Sequence, residues 1–193
     1  MKHLIARRPA LAVLAIGAFA LLSSAFAAAA AAQTTSFQAS VTAKGARGAG
    51  TGQGTKPSTG CANGAYTCGT ANIAGHGAAS WNLYITSNTN VETSCGSTYT
   101  AITYFTLASD PSSTLVIDES GNLCGPGLNA NGYFKEDPNA SGHPFTALGT
   151  WTIDTTDSTG QFAGLLGGPD TGGTDTLQFD GAHIAGSYSG TLG

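Results

Sequence analysis

Basic residues are scarce in this 193-residue chain, with seven Lys and Arg against eleven Asp and Glu. Lys2, Arg7 and Arg8 sit at the very start, Lys44, Arg47, Lys56 and Lys135 are scattered, and every acid lies beyond residue 90. Nucleic-acid binding relies on a clustered basic footprint, so nucleic acid is excluded as a partner. An acidic, weakly charged surface also disfavours anionic membranes. Helix-forming patterns are missing too. Gly and Thr dominate, Leu is sparse, and no stretch carries apolar residues at helical spacing.

The common catalytic signatures are absent. The nearest approach to a G-x-S-x-G nucleophile elbow, Gly186-Ser187-Tyr188-Ser189-Gly190, has Tyr at its centre. There is no phosphate-binding P-loop and no H-E-x-x-H zinc helix. His76, His143 and His183 are widely spaced and read as surface polar groups rather than as a zinc triad. Gly172-Gly173-Thr174-Asp175-Thr176-Leu177 is a single, imperfect match to a calcium-binding repeat that acts only when stacked. Asp118 and Glu119 are adjacent, so on a strand they point to opposite faces and cannot jointly hold a substrate. Glu136 and Asp137 read as solvated loop charge. No cofactor and no metal is expected. The sequon Asn139-Ala140-Ser141 matters only in a eukaryotic secretory host, and the leader suggests a bacterial one.

What is present begins with that leader. The basic start is followed by an apolar run from Ala10 to Leu22 and by small residues, Ala25-Phe26-Ala27 and the alanines up to Ala32. This is the layout of a cleavable secretory signal, residues 1–32, with cleavage expected between 27 and 33. The run is too short and too closely followed by small residues to be a membrane span. Residues 33–193 then form one secreted domain, with no second apolar run and no membrane span after cleavage.

The four cysteines, Cys61, Cys68, Cys95 and Cys124, are an even set in an exported chain, which reads as two disulfides. Zinc knuckles need C-x₂₋₄-C spacings that these do not have. Three connectivities are open, and strand register favours one. Residues 98–107 and 113–119 read as a hairpin turned at Ser109-Asp110-Pro111-Ser112. Cross-strand partners should then have numbers summing to about 220, which sets Cys95 opposite Cys124. Cys61–Cys68 would close the small loop that remains.

Period-two alternation marks the strands. Phe37, Ala39, Val41 and Ala43 share one face. Trp81, Leu83 and Ile85 share another. So do Tyr99, Ala101, Thr103, Phe105 and Leu107, answered by Leu115 and Ile117. Phe145, Ala147, Gly149, Trp151 and Ile153 form a further face, as do Ile184, Gly186, Tyr188, Gly190 and Leu192 after the hairpin signal Asp180-Gly181. Residues 48–54, with glycine at every even position, read as a Gly-faced strand. Seven to nine strands without helices make an all-β domain, a barrel or a β-sandwich. The stretch 124–144 has no period and much Gly, Pro and Asn, and a loop that long is commonly functional.

The run Gly149-Thr150-Trp151-Thr152-Ile153-Asp154 with Ser158-Thr159-Gly160-Gln161-Phe162-Ala163-Gly164 resembles bacterial exported allene-oxide-cyclase-like proteins. It is also similar, more distantly, to the dirigent family. Gly50 to Thr55 and Gly186 to Leu192 look similar to the same group. The resemblance implies an antiparallel up-and-down β-barrel of about eight strands with a cavity. It does not imply cyclase activity. Gln161 stands where the group usually has Arg, and no catalytic residue is carried over.

The leading expectation is a non-enzymatic exported barrel that binds a small apolar or amphipathic ligand or a cell-surface partner. The alternatives are a cavity enzyme of isomerase or cyclase type and a structural or adhesive envelope protein. A ligand site is expected at one barrel mouth under residues 128–144, where Tyr133, Phe134 and His143 supply apolar and polar contacts.

Overall fold

A computed structural model describes residues 34–44, 61, 65–89, 95–124, 145–180 and 183–193. It contains eight strands: β1 (Thr35–Lys44), β2 (Thr67–Ile73), β3 (Gly77–Thr89), β4 (Cys95–Leu107), β5 (Thr114–Cys124), β6 (Phe145–Ile153), β7 (Gly172–Asp180) and β8 (His183–Leu192). Each pairs antiparallel with the next, and β8 closes onto β1. An up-and-down barrel forms, and not the sandwich held as its alternative. Closure leaves no strand edge open to another chain.

Alternation explains the closure. Phe37, Val41, Trp81, Leu83, Phe105, Leu115, Ile117, Trp151, Leu177, Ile184, Tyr188 and Leu192 are buried on the inner face. Eight strands leave an interior just wide enough for side chains to fill, and large rings fill it here. Phe37 stands edge-on to Trp151 at 5.3 Å, and Phe105 edge-on to Tyr188 at 5.1 Å. The outer face is largely Thr and Ser. Cross-strand hydroxyl pairs form between Thr42 and Thr70, Thr86 and Thr100, and Thr106 and Thr114. Such pairs each add a few tenths of a kcal/mol, on the order of 0.2–1.

The small-residue stretch 69–79, which shows no strand signal in sequence, supplies most of β2, the turn at residues 74–76 and the start of β3. Gly69 is small because its surroundings are crowded, whereas Gly75 and Gly77 serve the turn through their positive φ. A Cβ at Gly69 would meet the backbone of Thr42 and Ala43. The Gly-faced segment 48–54 and the irregular segment 125–144 lie outside the described residues.

The β4–β5 hairpin turns where expected. Asp110 accepts hydrogen bonds from Ser112 N (3.2 Å), Ser112 Oγ (2.6 Å) and Ser113 Oγ (2.5 Å). These bonds hold its carboxyl below the usual carboxylate range. Thr106 pairs with Thr114, Phe105 with Leu115, and Cys95 with Cys124 beyond a bulge. A disulfide joins Cys61 to Cys68.

The two ends of the barrel differ. At the end where β6 gives way to β7, residues 154–171 fold back as a plug. Ser158 Oγ accepts from Val116 N at 3.0 Å, and Phe162, in the 3-10 turn Gly160–Phe162, is buried against the core beside His76. Gly160 has φ +59°, and a Cβ there would strike Ser113, so glycine is required twice over. The opposite end, where β1, β3, β5 and β7 terminate, is the mouth described next.

Candidate functional site

A polar group is buried in the aromatic interior. Glu119 on β5 and Asp175 on β7 both point inward, 3% and 2% exposed. Alternation puts them there. Glu119 shares its phase with Leu115 and Ile117, and Asp175 with Leu177 and Phe179. Asp118, one residue away, points to the outer face, in agreement with the sequence argument that this adjacent pair cannot work together.

One row of the ladder organises the group. Tyr99 pairs with Gly121, Gly121 with Gly149, Gly149 with Asp175, and Asp175 with Tyr188. The two glycines leave a lane across β5 and β6. Through it Tyr99 reaches from β4 to β7 and donates its hydroxyl to Asp175 Oδ2 at 3.1 Å. A Cβ on Gly149 would fall against Asp175 Oδ1 and 2.6 Å from the Tyr99 hydroxyl. On the other side of the row, Trp81 Nε1 donates to the Tyr188 hydroxyl at 3.3 Å.

Several polar atoms of the group have no partner. Both oxygens of Glu119, Asp175 Oδ1, Thr103 Oγ1 and Thr67 Oγ1 are buried without a hydrogen-bond partner. Thr103 and Tyr188 present hydroxyls that favour the charged form of Glu119, yet neither completes a bond to it. Among the described residues no buried basic side chain answers the two acids. Burial, followed by the nearby Asp175, pushes the Glu119 carboxyl up to about 8. Burial raises Asp175 to about 6, partly offset by the Tyr99 hydrogen bond. The same desolvation, reinforced by both carboxyls, drives Tyr99 and Tyr188 far above the ordinary phenol range. One proton is therefore held near neutral pH by a pair of carboxyls that cannot easily ionise together.

Above this floor, toward the end where β3, β5 and β7 terminate, lies a narrow apolar cleft with largely buried walls. Tyr66, Leu83, Ile85, Leu123, Leu177 and Phe179 form its walls, and the ring of Tyr99 joins it to the polar group below. About 270 Å³ lies between these walls outside any atom, but only about 10 Å³ is clear of them. That is at the lower limit for one water, so a larger guest must move side chains aside. A second depression of about 380 Å³ on the outer wall is lined by Gln38, Ser40, Asn72, Ser187 and Ser189.

The residues expected to contact a ligand, Tyr133, Phe134 and His143, lie outside the described residues. The segment that carries them joins β5 to β6 at the end where the cleft opens. His76 sits at the β2–β3 turn and His183 at the start of β8, at opposite ends of the barrel, so these two do not converge. Sequence reasoning missed Glu119, Asp175, Tyr99 and Thr103 as a cluster. The available signal was their phase, since each shares a face with large apolar neighbours.

Compared with known protein families, curated proteins and solved structures, the chain finds no match.

Proposed function

We propose that this is an exported barrel protein that binds a small, slender apolar or amphipathic molecule through the mouth formed by Tyr66, Leu83, Leu177 and Phe179. One observation carries the reading: an apolar cleft stands directly over buried polar atoms that have no partners, in a barrel plugged at its far end. Ligand pockets combine an apolar lining with a few converging polar groups. The leader-like N-terminus and the Cys61–Cys68 disulfide support export. The barrel is also the fold implied by the Gly149–Gly164 resemblance to allene-oxide-cyclase-like proteins.

The test uses straight-chain alkanols from butanol to octanol, titrated against isotope-labelled protein. Saturable amide shifts at Leu83, Ala147 and Leu177 are expected, and Ala147→Leu, which fills the cleft, should abolish them. Alkanols that leave these amides unmoved up to their solubility limit would remove the cleft as a site. Native mass spectrometry of protein from its own host would show a retained guest directly.

A second reading is favoured by the two acids. A carboxyl that keeps its proton near neutral pH beside one that loses it sooner is the arrangement of an acid and a base in one site. The barrel would then be an isomerase-type enzyme, with Glu119 as acid and Asp175 as base. Turnover of a bound guest, lost in both Glu119→Gln and Asp175→Asn, would establish it.

A further inference from the structure

The interior has a definite chemical deficit. The unpartnered atoms at its floor are the two carboxyl oxygens of Glu119, one of Asp175 and the hydroxyl of Thr103. Ionised carboxylate oxygens only accept, and the one proton that the pair retains, like each hydroxyl, supplies a single donor. Of the donors present, Tyr99 O–H and Trp81 N–H are engaged, the Tyr188 and Thr103 hydroxyls leave both Glu119 oxygens unpartnered, and no buried cation is found among the described residues. What is missing is therefore a compact group with several donors and positive charge.

The surroundings narrow the choice. Rings of Trp81, Phe105, Tyr99 and Tyr188 line the interior near the acids, and aromatic faces attract cations. Hard metal ions need six or more oxygen ligands, and no group of three or more His, Cys, Asp or Glu converges among the described residues. A guanidinium is planar and wide, whereas the free space is narrow. A primary ammonium is compact and brings three donors. The cleft above it is apolar, so the rest of the guest is hydrocarbon.

We infer that the barrel binds a primary alkylamine, its ammonium seated between Glu119 and Asp175 and its chain lying along the Leu83–Leu177 cleft. This deepens the ligand-binding reading above and rests on it. The ammonium replaces the proton of the acid pair as its counter-charge, so the displaced proton passes to solvent and both carboxyls become charged. Tyr99 keeps its bond to Asp175 Oδ2, leaving Oδ1 and the Glu119 oxygens for the three N–H groups. Other titratable groups facing the pair, Tyr99 from β4 and Tyr188 from β8, stay neutral throughout.

The probes are hexylamine, 1-hexanol and hexanoate, titrated calorimetrically at pH 7 against the full secreted chain. Hexylamine should bind at least ten-fold more tightly than hexanol, and hexanoate should not bind. In buffers of differing ionisation enthalpy, amine binding should release about one proton, as linkage to a protonated carboxyl requires. Glu119→Gln and Asp175→Asn, each checked for barrel structure by circular dichroism, should weaken hexylamine at least ten-fold. Hexanol binding as well as or better than hexylamine overturns the amine assignment but keeps the cleft. Amine binding with no proton release, or unchanged in both folded variants, overturns it too. Failure of all three probes removes the cleft reading together with the amine.

Discussion

Replacing Glu119 by Gln should make this protein more stable, and only above a certain pH. The ordinary value for this carboxyl is 4.5, and burial with Asp175 nearby raises it to about 8 in the folded barrel. The unfolded chain therefore ionises first. Glu119 costs nothing below its unfolded value, stability falls as pH rises from there through the folded value, and above that the loss is complete. At about 1.4 kcal/mol per pKa unit, the upper bound is about 4–5 kcal/mol. Part of that cost is shared with Asp175, so about 2–3 kcal/mol is expected for Glu119 alone at pH 8.5. Gln has the same shape, carries no charge, and offers an amide N–H₂ to the unpartnered Asp175 Oδ1 and Thr103 Oγ1. Urea denaturation of both proteins at half-unit steps from pH 4.5 to 8.5 gives the comparison, with the slope m checked for constancy. The two midpoints should nearly coincide at pH 4.5 and separate steadily in favour of Glu119→Gln. A variant that is less stable at pH 8.5, or a wild-type curve that is flat across this range, would refute the argument. It would mean that Glu119 is ionised and compensated in the fold.

Gly149→Ala places a methyl against Asp175 Oδ1 and the Tyr99 hydroxyl; a loss of about 1–3 kcal/mol is expected in thermal denaturation, as for other overpacked interiors. Trp151→Ala removes a buried ring that also donates Nε1 to Thr174 O at 3.2 Å; about 3–5 kcal/mol should be lost, and under 1 kcal/mol would contradict its place in the core. Non-reducing peptide mapping should link Cys95 to Cys124, which the ladder sets opposite each other; loss of that bridge should cost about 2–4 kcal/mol. N-terminal sequencing of secreted material should begin between residues 27 and 33, and a start at Met1 would contradict the export reading.

Most of the barrel could be read from alternation, because closing a sheet on itself only requires that each strand have one apolar face. Phe37 to Ala43 and Tyr99 to Leu107 show that face without interruption, and all of these residues are buried where alternation puts them. The hairpin arithmetic worked because Asp110 and its serines fix a tight turn, after which register is a matter of counting. β2 was illegible for a physical reason. Its Gly69 must be small where β1 crosses close, so the residue that makes the strand fit also removes its apolar signature. Nothing local distinguishes such a strand from a linker.

The polar site was missed for the opposite reason: acids were weighed as pairs in sequence rather than by the face they occupy. Alternation already splits Asp118 and Glu119 between opposite faces, and the phase set by Leu115 and Ile117 assigns Glu119 to the interior, where a partner from another strand was not sought. Asp175 was absorbed into a glycine-rich calcium motif, although Leu177 and Phe179 carry its phase inward. A barrel of this size fills well with rings and aliphatics, and a buried acid pair without a basic partner weakens such a core. The two breaks in the apolar pattern are not independent. The acids and the paired glycines Gly121 and Gly149 meet on neighbouring strands, with the glycines clearing the lane through which Tyr99 holds Asp175. Packing accounts for the glycines, since a Cβ at either would strike its neighbours, but it does not account for two buried acids without a basic partner. The guest proposed above would satisfy the open acceptors of the acids and so give them a reason to be there.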